Sequence, residues 1–158
     1  MSLHIDKFRL AGVMGFPALH SRSPKIHNYW FEHYGLAGSY VPLELPPERL
    51  ESALRALPAL GFAGCNLTIP HKVAAMKIVD KVEDTARRIG AINCVVVQPD
   101  GSLIGRNYDG FGFVHSLFEA APDYHPADGP VLVLGAGGGA RAVIAGLQDA
   151  GAKRIMVA

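Results

Sequence analysis

Hydrophobic positions change period several times along the chain, and each change predicts a new element. Residues 8–15, FRLAGVMG, are a short apolar run closed by Gly15 and Pro17, as in a buried strand that runs into a loop. Ser23 before Pro24 supplies a helix N-cap and a first-turn proline, and Ile26, Trp30, Phe31 and Tyr34 then recur at helical spacing as far as Gly35. The spacing of Trp30, Phe31 and Tyr34 predicts that this row packs into a core. Residues 39–45, SYVPLEL, alternate like a strand, and residues 48–57 follow two prolines as an amphipathic helix that Pro58 and Gly61 stop. Residues 64–68, GCNLT, read as the next strand, and Pro70 ends it while opening a helix that carries His71, Lys72 and Met76. A short helix at 83–90 leads to two strand-like runs, 91–97 and 103–107, which flank the turn PDGS as a hairpin. Asp109 precedes the apolar, periodic run GFGFVHSLFEAA, a helix start whose helix ends before Pro122.

Residues 122–130 hold three prolines and little apolar surface, so they read as a linker between a first unit, residues 1–121, and a second, residues 131–158. In the second unit the strand VLVL, a glycine turn, a helix from about Ala140 to Ala150 and the strand RIMVA make one βαβ unit. Strands alternating with helices predict an α/β protein with mainly parallel sheet and three layers in both units.

Composition narrows the function classes. Hydrophobic residues at 49% against 18% charged describe a folded globular chain and exclude a disordered one. The 15 basic and 14 acidic residues nearly cancel, so no overall field draws the chain to nucleic acid or to an anionic membrane. Cys65 and Cys94, the two cysteines, have no metal or disulfide-framework spacing and read as ordinary buried thiols in a reducing compartment. The opening MSLHIDKFRL lacks the apolar core of a signal peptide, and no run approaches the ~20 apolar residues of a membrane span. A cytoplasmic location is expected.

Chemistry concentrates at strand ends. Gly135, Ala136, Gly137, Gly138, Gly139 and Ala140 stand between an apolar strand and a helix, the context a dinucleotide-binding turn requires. Glycine there permits a tight turn and lets backbone N–H groups reach a pyrophosphate at the helix N-terminus, with Arg141 as a further phosphate contact. The second unit therefore reads as the beginning of a Rossmann-type domain. In GFPALHSRSPKIHN, residues 15–28, Ser21 and Ser23 offer hydroxyls beside a helix N-terminus, a place that suits a small carboxylate. Spacing alone favours a plainer reading, with Ser23 an N-cap and Ser21 a loop residue. NLTIPHK (66–72), AINC (91–94) and GRNYDGFG (105–112) bring Asn66, Thr68, Lys72, Asn93 and Asp109 to strand ends. Lys72 can hold positive charge near a carbonyl oxygen and Asp109 can orient it, although each taken singly is better read as a surface lysine and a helix-capping aspartate. His20, His27 and His71 lack metal-site spacing and are expected to orient loops by hydrogen bonding, so no metal is expected.

Taken together, GFPALHSRSPKIHN, NLTIPHK, AIN, GRNYDGFG and GAGGGA occur in the order and approximate spacing of the shikimate dehydrogenase family, and the chain resembles that family over essentially its whole length. The resemblance implies reversible reduction of 3-dehydroshikimate to shikimate with NADPH, on the route to aromatic amino acids. It implies that Ser21 and Ser23 hold the carboxylate of shikimate, and that Asn66, Thr68, Lys72, Asn93 and Asp109 hold its ring hydroxyls. Lys72 and Asp109 correspond to the family's catalytic pair, and the glycine loop to its NADP site. Two positions depart from the family's usual pattern, Tyr108 where threonine is commonest and Cys94 where threonine often follows the asparagine. Tyr108 is expected either to reshape the ring pocket, admitting quinate, or to face the core.

The alternatives are a quinate or dual quinate/shikimate dehydrogenase, and, in another class, a noncatalytic module that binds carbocyclic acids. Retention of Lys72 and Asp109 argues against the module. The expected oligomer is a monomer or homodimer. A dinucleotide domain needs more strands than RIMVA supplies, and its ribose-reading residue belongs ~20 residues past the glycines. The 158 residues are accordingly expected to be part of a longer protein and inactive alone.

Overall fold

A computed structural model of the chain describes residues 8–158, so the reading of the opening segment as lacking a signal peptide lies, for residues 1–7, outside the described residues. The first elements are β1 (Arg9–Gly15), α1 (Ser23–His33), β2 (Gly38–Glu44), a 3₁₀ turn (Pro47–Arg49) running into α2 (Leu50–Ala56), β3 (Phe62–Leu67) and α3 (His71–Ala74). They are followed by β4 (Lys81–Val82), α4 (Asp84–Ile89), β5 (Cys94–Val97), β6 (Leu103–Arg106) and α5 (Asp109–Ala120), and then by β7 (Val131–Val133), α6 (Gly138–Asp149) and β8 (Ile155–Val157). Apart from β4, too short to show a period, every strand and helix lies on a segment whose pattern predicts it.

Six strands form one sheet in the order β2-β1-β3-β5-β6-β4. β1 lies parallel to β2 and β3, β4 lies parallel to β6, and β5 pairs antiparallel with β3 and with β6, closing the expected hairpin. Strand side chains alternate between faces. On one face Met14, Cys65, Leu67, Val95 and Leu103 meet Leu50, Leu54 and Leu57 of the α2 segment, together with Val79 and Ala86, in the main core. Each fully buried leucine there contributes ~1.5–3 kcal/mol relative to exposure. The opposite face carries Tyr40 beneath α1, so the sheet is the middle of three layers, as expected.

The predicted aromatic core row on α1 holds at Phe31, which is half-buried, and is corrected at Trp30 and Tyr34. No residue of α1 is buried, and Trp30 and Tyr34 are 46% and 67% exposed. The inward face is instead that of His27, Asn28 and Phe31. His27 stacks on Tyr40 at 4.1 Å between ring centroids, and a β-carbon on Gly38 would meet the ring of Phe31 at 2.5 Å. Asn28 clamps the backbone of Tyr40, its Nδ2 donating to the carbonyl (2.9 Å) and its Oδ1 accepting from the N–H (2.8 Å). Two directed hydrogen bonds to the backbone of the edge strand decide the helix's rotation, and Trp30 and Tyr34 are left outside.

β7 and β8 pair in parallel, and with α6 they make a βαβ unit of two layers, not the expected three, among the described residues. The helix begins at Gly138, two positions ahead of the expected Ala140, because the glycines themselves form its first turn. Ala142 and Ala145 of α6 pack on Ile89 and Ala91. α5 crosses α6 at two glycines, where a β-carbon on Gly146 would stand 2.8 Å from the carbonyl oxygen of Gly110. Among the described residues no helix is long and apolar enough to cross a membrane.

Candidate active site

β1 and β3 are parallel neighbours, so both deliver their carboxyl ends to the same edge of the sheet. Ligands in open α/β sheets bind outside such ends. Here a cleft of about 450 Å³ opens, and Ser21, Ser23, Asn66, Thr68, Asn93 and Asp109 all line it. Lys72 joins the group through Asp109. The chain geometry explains how residues far apart in sequence meet: Thr68 N–H donates to the Met14 carbonyl at 2.9 Å, Leu67 N–H to the Asn93 carbonyl at 2.9 Å, and Ile92 N–H to the Lys72 carbonyl at 2.9 Å.

At the centre, Lys72 Nζ donates to Asp109 Oδ2 at 2.5 Å, and Asn93 Nδ2 donates to Asp109 Oδ1 at 2.6 Å. Both carboxylate oxygens are thus engaged, the lysine and aspartate side chains being 18% and 27% exposed. The reading of Asp109 as the cap of its helix is corrected. The Oδ1 of Asn107 accepts the Asp109 N–H at 2.9 Å, and buried Asn107 anchors itself by donating from Nδ2 to the Ala91 carbonyl at 2.9 Å. Tyr108 stands at the N-cap with no side-chain cap bond, and with its N–H met by Asn107 the aspartate turns its carboxylate to the lysine. Asn93 is fixed in turn, its Oδ1 accepting the Tyr108 N–H at 3.0 Å. The Tyr108 ring is 50% exposed and its hydroxyl accepts from Arg106 at 3.2 Å, so it faces neither the core nor the cleft.

Tyr40 is a contributor that sequence reasoning missed. Its hydroxyl donates to Asn66 Oδ1 at 2.8 Å, and Asn66 Nδ2 donates to the Asn93 carbonyl at 3.3 Å, which orients the amide above the cleft. Burial pushes the Tyr40 hydroxyl well above the usual phenol range, so it remains a donor at neutral pH. Nothing in the alternation of SYVPLEL marks this residue as more than core. Tyr40→Phe is expected to lower stability by about 1 kcal/mol, because one half-buried acceptor loses its partner. Urea unfolding checks this, and an unchanged midpoint would mean that Asn66 finds another donor.

The loop before α1 is held from outside. Glu44 Oε2 accepts from the N–H groups of Ala18 (3.0 Å) and Leu19 (3.3 Å). Ser21 Oγ accepts the Ser23 N–H at 3.2 Å, so Ser21 closes the first turn and Ser23 is a helix residue, correcting its reading as the N-cap. His71, almost fully buried, donates from Nε2 to the Leu45 carbonyl at 2.8 Å, and His27 Nδ1 lies 2.9 Å from the Ser23 carbonyl. His71 thus orients a loop as expected, whereas His27 bonds a carbonyl of its own helix. Among the described residues no group of three or more histidine, cysteine or acidic side chains is arranged to hold a metal ion. Cys65 and Cys94 are unpaired, and burial pushes the Cys65 thiol up to about 12.

The glycine loop fits a dinucleotide's phosphates on two counts. Gly135 occupies φ +109°, a conformation that L side chains rarely adopt, and β-carbons on Gly137 or Gly139 would meet nothing within 4 Å. The N-terminus of α6 has no side-chain cap, and the Gly137 carbonyl accepts first from Arg141, so the N–H groups of Gly138, Gly139 and Ala140 carry no intrahelical bond. Arg141 itself reaches toward the Gly90 carbonyl at 3.4 Å. Of the loop glycines, Gly138 is the one whose β-carbon would lie against Lys72.

Residues 13–95, more than half of the chain, match the sequence model of the shikimate dehydrogenase substrate binding domain. The shikimate dehydrogenase (NADP(+)) of Paramagnetospirillum magneticum is 53% identical over 96% of this chain and 55% of its own length. That of Rhodospirillum rubrum is 54% identical over 92% of this chain and 51% of its own. Among solved structures, shikimate 5-dehydrogenase from Thermus thermophilus in complex with NADP(H) and shikimate superposes with a TM-score of 0.85 at 42% identity, over 94% of this chain and 55% of that one. The chain spans about half the length of the curated relatives it matches.

Proposed function

The chain belongs to the shikimate dehydrogenase family, and from that premise we propose that the protein carrying it is an NADP-dependent shikimate dehydrogenase that reversibly reduces 3-dehydroshikimate to shikimate in the cytoplasm. The observation that carries the reading is the Lys72–Asp109–Asn93 group, which stands at a cleft lined by hydroxyl and amide side chains, with a glycine loop alongside. Such a cleft suits a small carbocycle with several hydroxyls and one carboxylate. Ser21 and Ser23, at the uncapped start of α1, are assigned to the carboxylate. Asn66 and Thr68, with Asn93, are assigned to the ring hydroxyls. Bound at the backbone N–H groups of Gly138, Gly139 and Ala140, the dinucleotide supplies the hydride.

The chain's own contribution is electrostatic and positional. Lys72 Nζ holds a proton toward the substrate's carbonyl oxygen, where negative charge develops during reduction, and delivers it as that oxygen becomes the hydroxyl. Asp109 keeps the ammonium aimed, and Asn93 keeps the carboxylate from rotating. Turnover by the whole protein tests this: NADPH absorbance is expected to fall only when 3-dehydroshikimate is present, and calorimetry is expected to show shikimate binding to this chain. Shikimate binding by the whole protein without NADPH consumption would replace the enzyme by a binding module.

A further inference from the structure

We infer that Gly138 is a positioning residue for Lys72: the missing side chain at the start of α6 lets the dinucleotide loop rest on the lysine's alkyl stem and set the place of its ammonium group. The inference deepens, and rests on, the dehydrogenase reading. The fingerprint of a dinucleotide turn calls for small residues at Gly135, Gly137 and Ala140, and Gly138 falls between them, where a side chain is ordinarily tolerated. Its backbone does not require glycine either, since among the loop glycines Gly135 alone has positive φ. As the first residue of a helix, glycine at 138 is a poorer choice than alanine.

Space supplies the reason. A β-carbon on Gly138 would lie 3.3 Å from Cβ of Lys72, 3.5 Å from Cδ of Lys72 and 3.5 Å from Cβ of Ala91. Neither side can retreat freely. Lys72 is pinned at its carbonyl by Ile92 N–H and at its ammonium by Asp109, and Ala91 is 0% exposed. α6 is held where Ala142 and Ala145 pack on Ile89 and Ala91, and where Gly146 meets the backbone of Gly110. The two distances of 3.5 Å are ordinary contacts, but the 3.3 Å approach to Cβ of Lys72 is relieved only by shifting the lysine stem a few tenths of an ångström, and with it the Nζ–Asp109 contact. The loop that binds the phosphates and the lysine that meets the carbonyl share one van der Waals surface.

Gly138→Ala and Gly138→Val test this, with Gly139→Ala as the comparison because a β-carbon there meets nothing within 4 Å. Acylation of Lys72 by an amine-reactive reagent, quantified by mass spectrometry on this chain, reads the lysine's freedom without any turnover. It is expected to speed up several-fold in Gly138→Ala and more in Gly138→Val, and to stay at the parent rate in Gly139→Ala. In the whole protein, kcat is expected to fall about tenfold for alanine and on the order of a hundredfold for valine. KM for 3-dehydroshikimate and the Kd of NADPH are expected to stay within about threefold, and the thermal midpoint of the alanine variant should not drop. Parent-rate acylation in Gly138→Ala overturns the inference, as does a kcat loss matched by an equal loss of NADPH affinity. If Gly138→Val does not fold, the alanine variant decides. A parent protein that consumes no NADPH defeats the dehydrogenase reading, while acylation still decides the contact between Gly138 and Lys72.

Discussion

Replacing Lys72 by alanine is expected to lower kcat by about a thousandfold while changing shikimate affinity by less than about tenfold. The split follows from geometry. Lys72 is one of several polar groups around the cleft, so binding loses one contact among many. The developing negative charge on the carbonyl oxygen, by contrast, loses its one charged donor. The loss is compounded because Asp109 stays behind, still held by Asn93 Nδ2 at 2.6 Å, and its negative charge then opposes the alkoxide. Folding should suffer little. The pair is partly exposed, at 18% and 27%, so screening limits its contribution to roughly 1 kcal/mol. Steady-state kinetics of the whole protein and calorimetry on this chain check the split. Near-normal turnover excludes the lysine as the proton donor, and equal losses in both make it a substrate-binding residue.

The residues of this group lie at or beside the boundaries of elements, which a break in alternation followed by Gly, Pro or a cap makes legible, but nothing in the periodicity joins them into one site, and that step comes from the resemblance of five separated blocks to a family. Asn66 and Thr68 close β3, Asn93 opens β5, and Asp109 opens α5. Neighbours across the sheet are harder to read. Tyr40 and Asn66 lie on β2 and β3, which do not touch, since β1 runs between them. Periodicity marks strands but not their order, so the bond between these two side chains had no signature. The same limit hid Glu44, whose carboxylate holds a loop 25 and 26 positions earlier. On α1 the period is right but the inward face is rotated, so that it keeps Phe31 and loses Trp30 and Tyr34, because His27 and Asn28 turn inward to serve Tyr40. Asn107 shows a related error. A helix start offers several polar residues, and here none caps it: Asn107 meets only the first helical N–H, and the carboxylate of Asp109 goes to Lys72 and Asn93.

Gly64→Ala is expected to destabilise the fold by about 2–4 kcal/mol and to disperse the site along with it. Between β1 and β3 the register slips, since Leu10 faces Phe62 but Ala11 faces Gly64, and Ala63 is the extra residue. The bulge turns Gly64 to φ +154° and brings it against β5, where an added β-carbon would stand 2.1 Å from the carbonyl oxygen of Val95. Both partners are backbone, so nothing flexible can yield. Relief requires β5 to move off β3. That motion separates Asn93 from Leu67, whose N–H donates to its carbonyl at 2.9 Å, and Ile92 from Lys72, and so takes apart the aspartate–asparagine–lysine group. For a domain of this size such a loss lowers the thermal midpoint by roughly 5–15 °C. Gly112→Ala is the contrast, because a β-carbon on that helical glycine meets nothing within 4 Å and its φ is not positive. It is expected to be neutral or to stabilise by up to about 1 kcal/mol. Thermal and urea unfolding of the two variants distinguish close approach from glycine content. A Gly64→Ala protein as stable as its parent would mean that the β3–β5 pairing opens without cost, and that the positions of Asn66 and Asn93 are set by something other than the sheet.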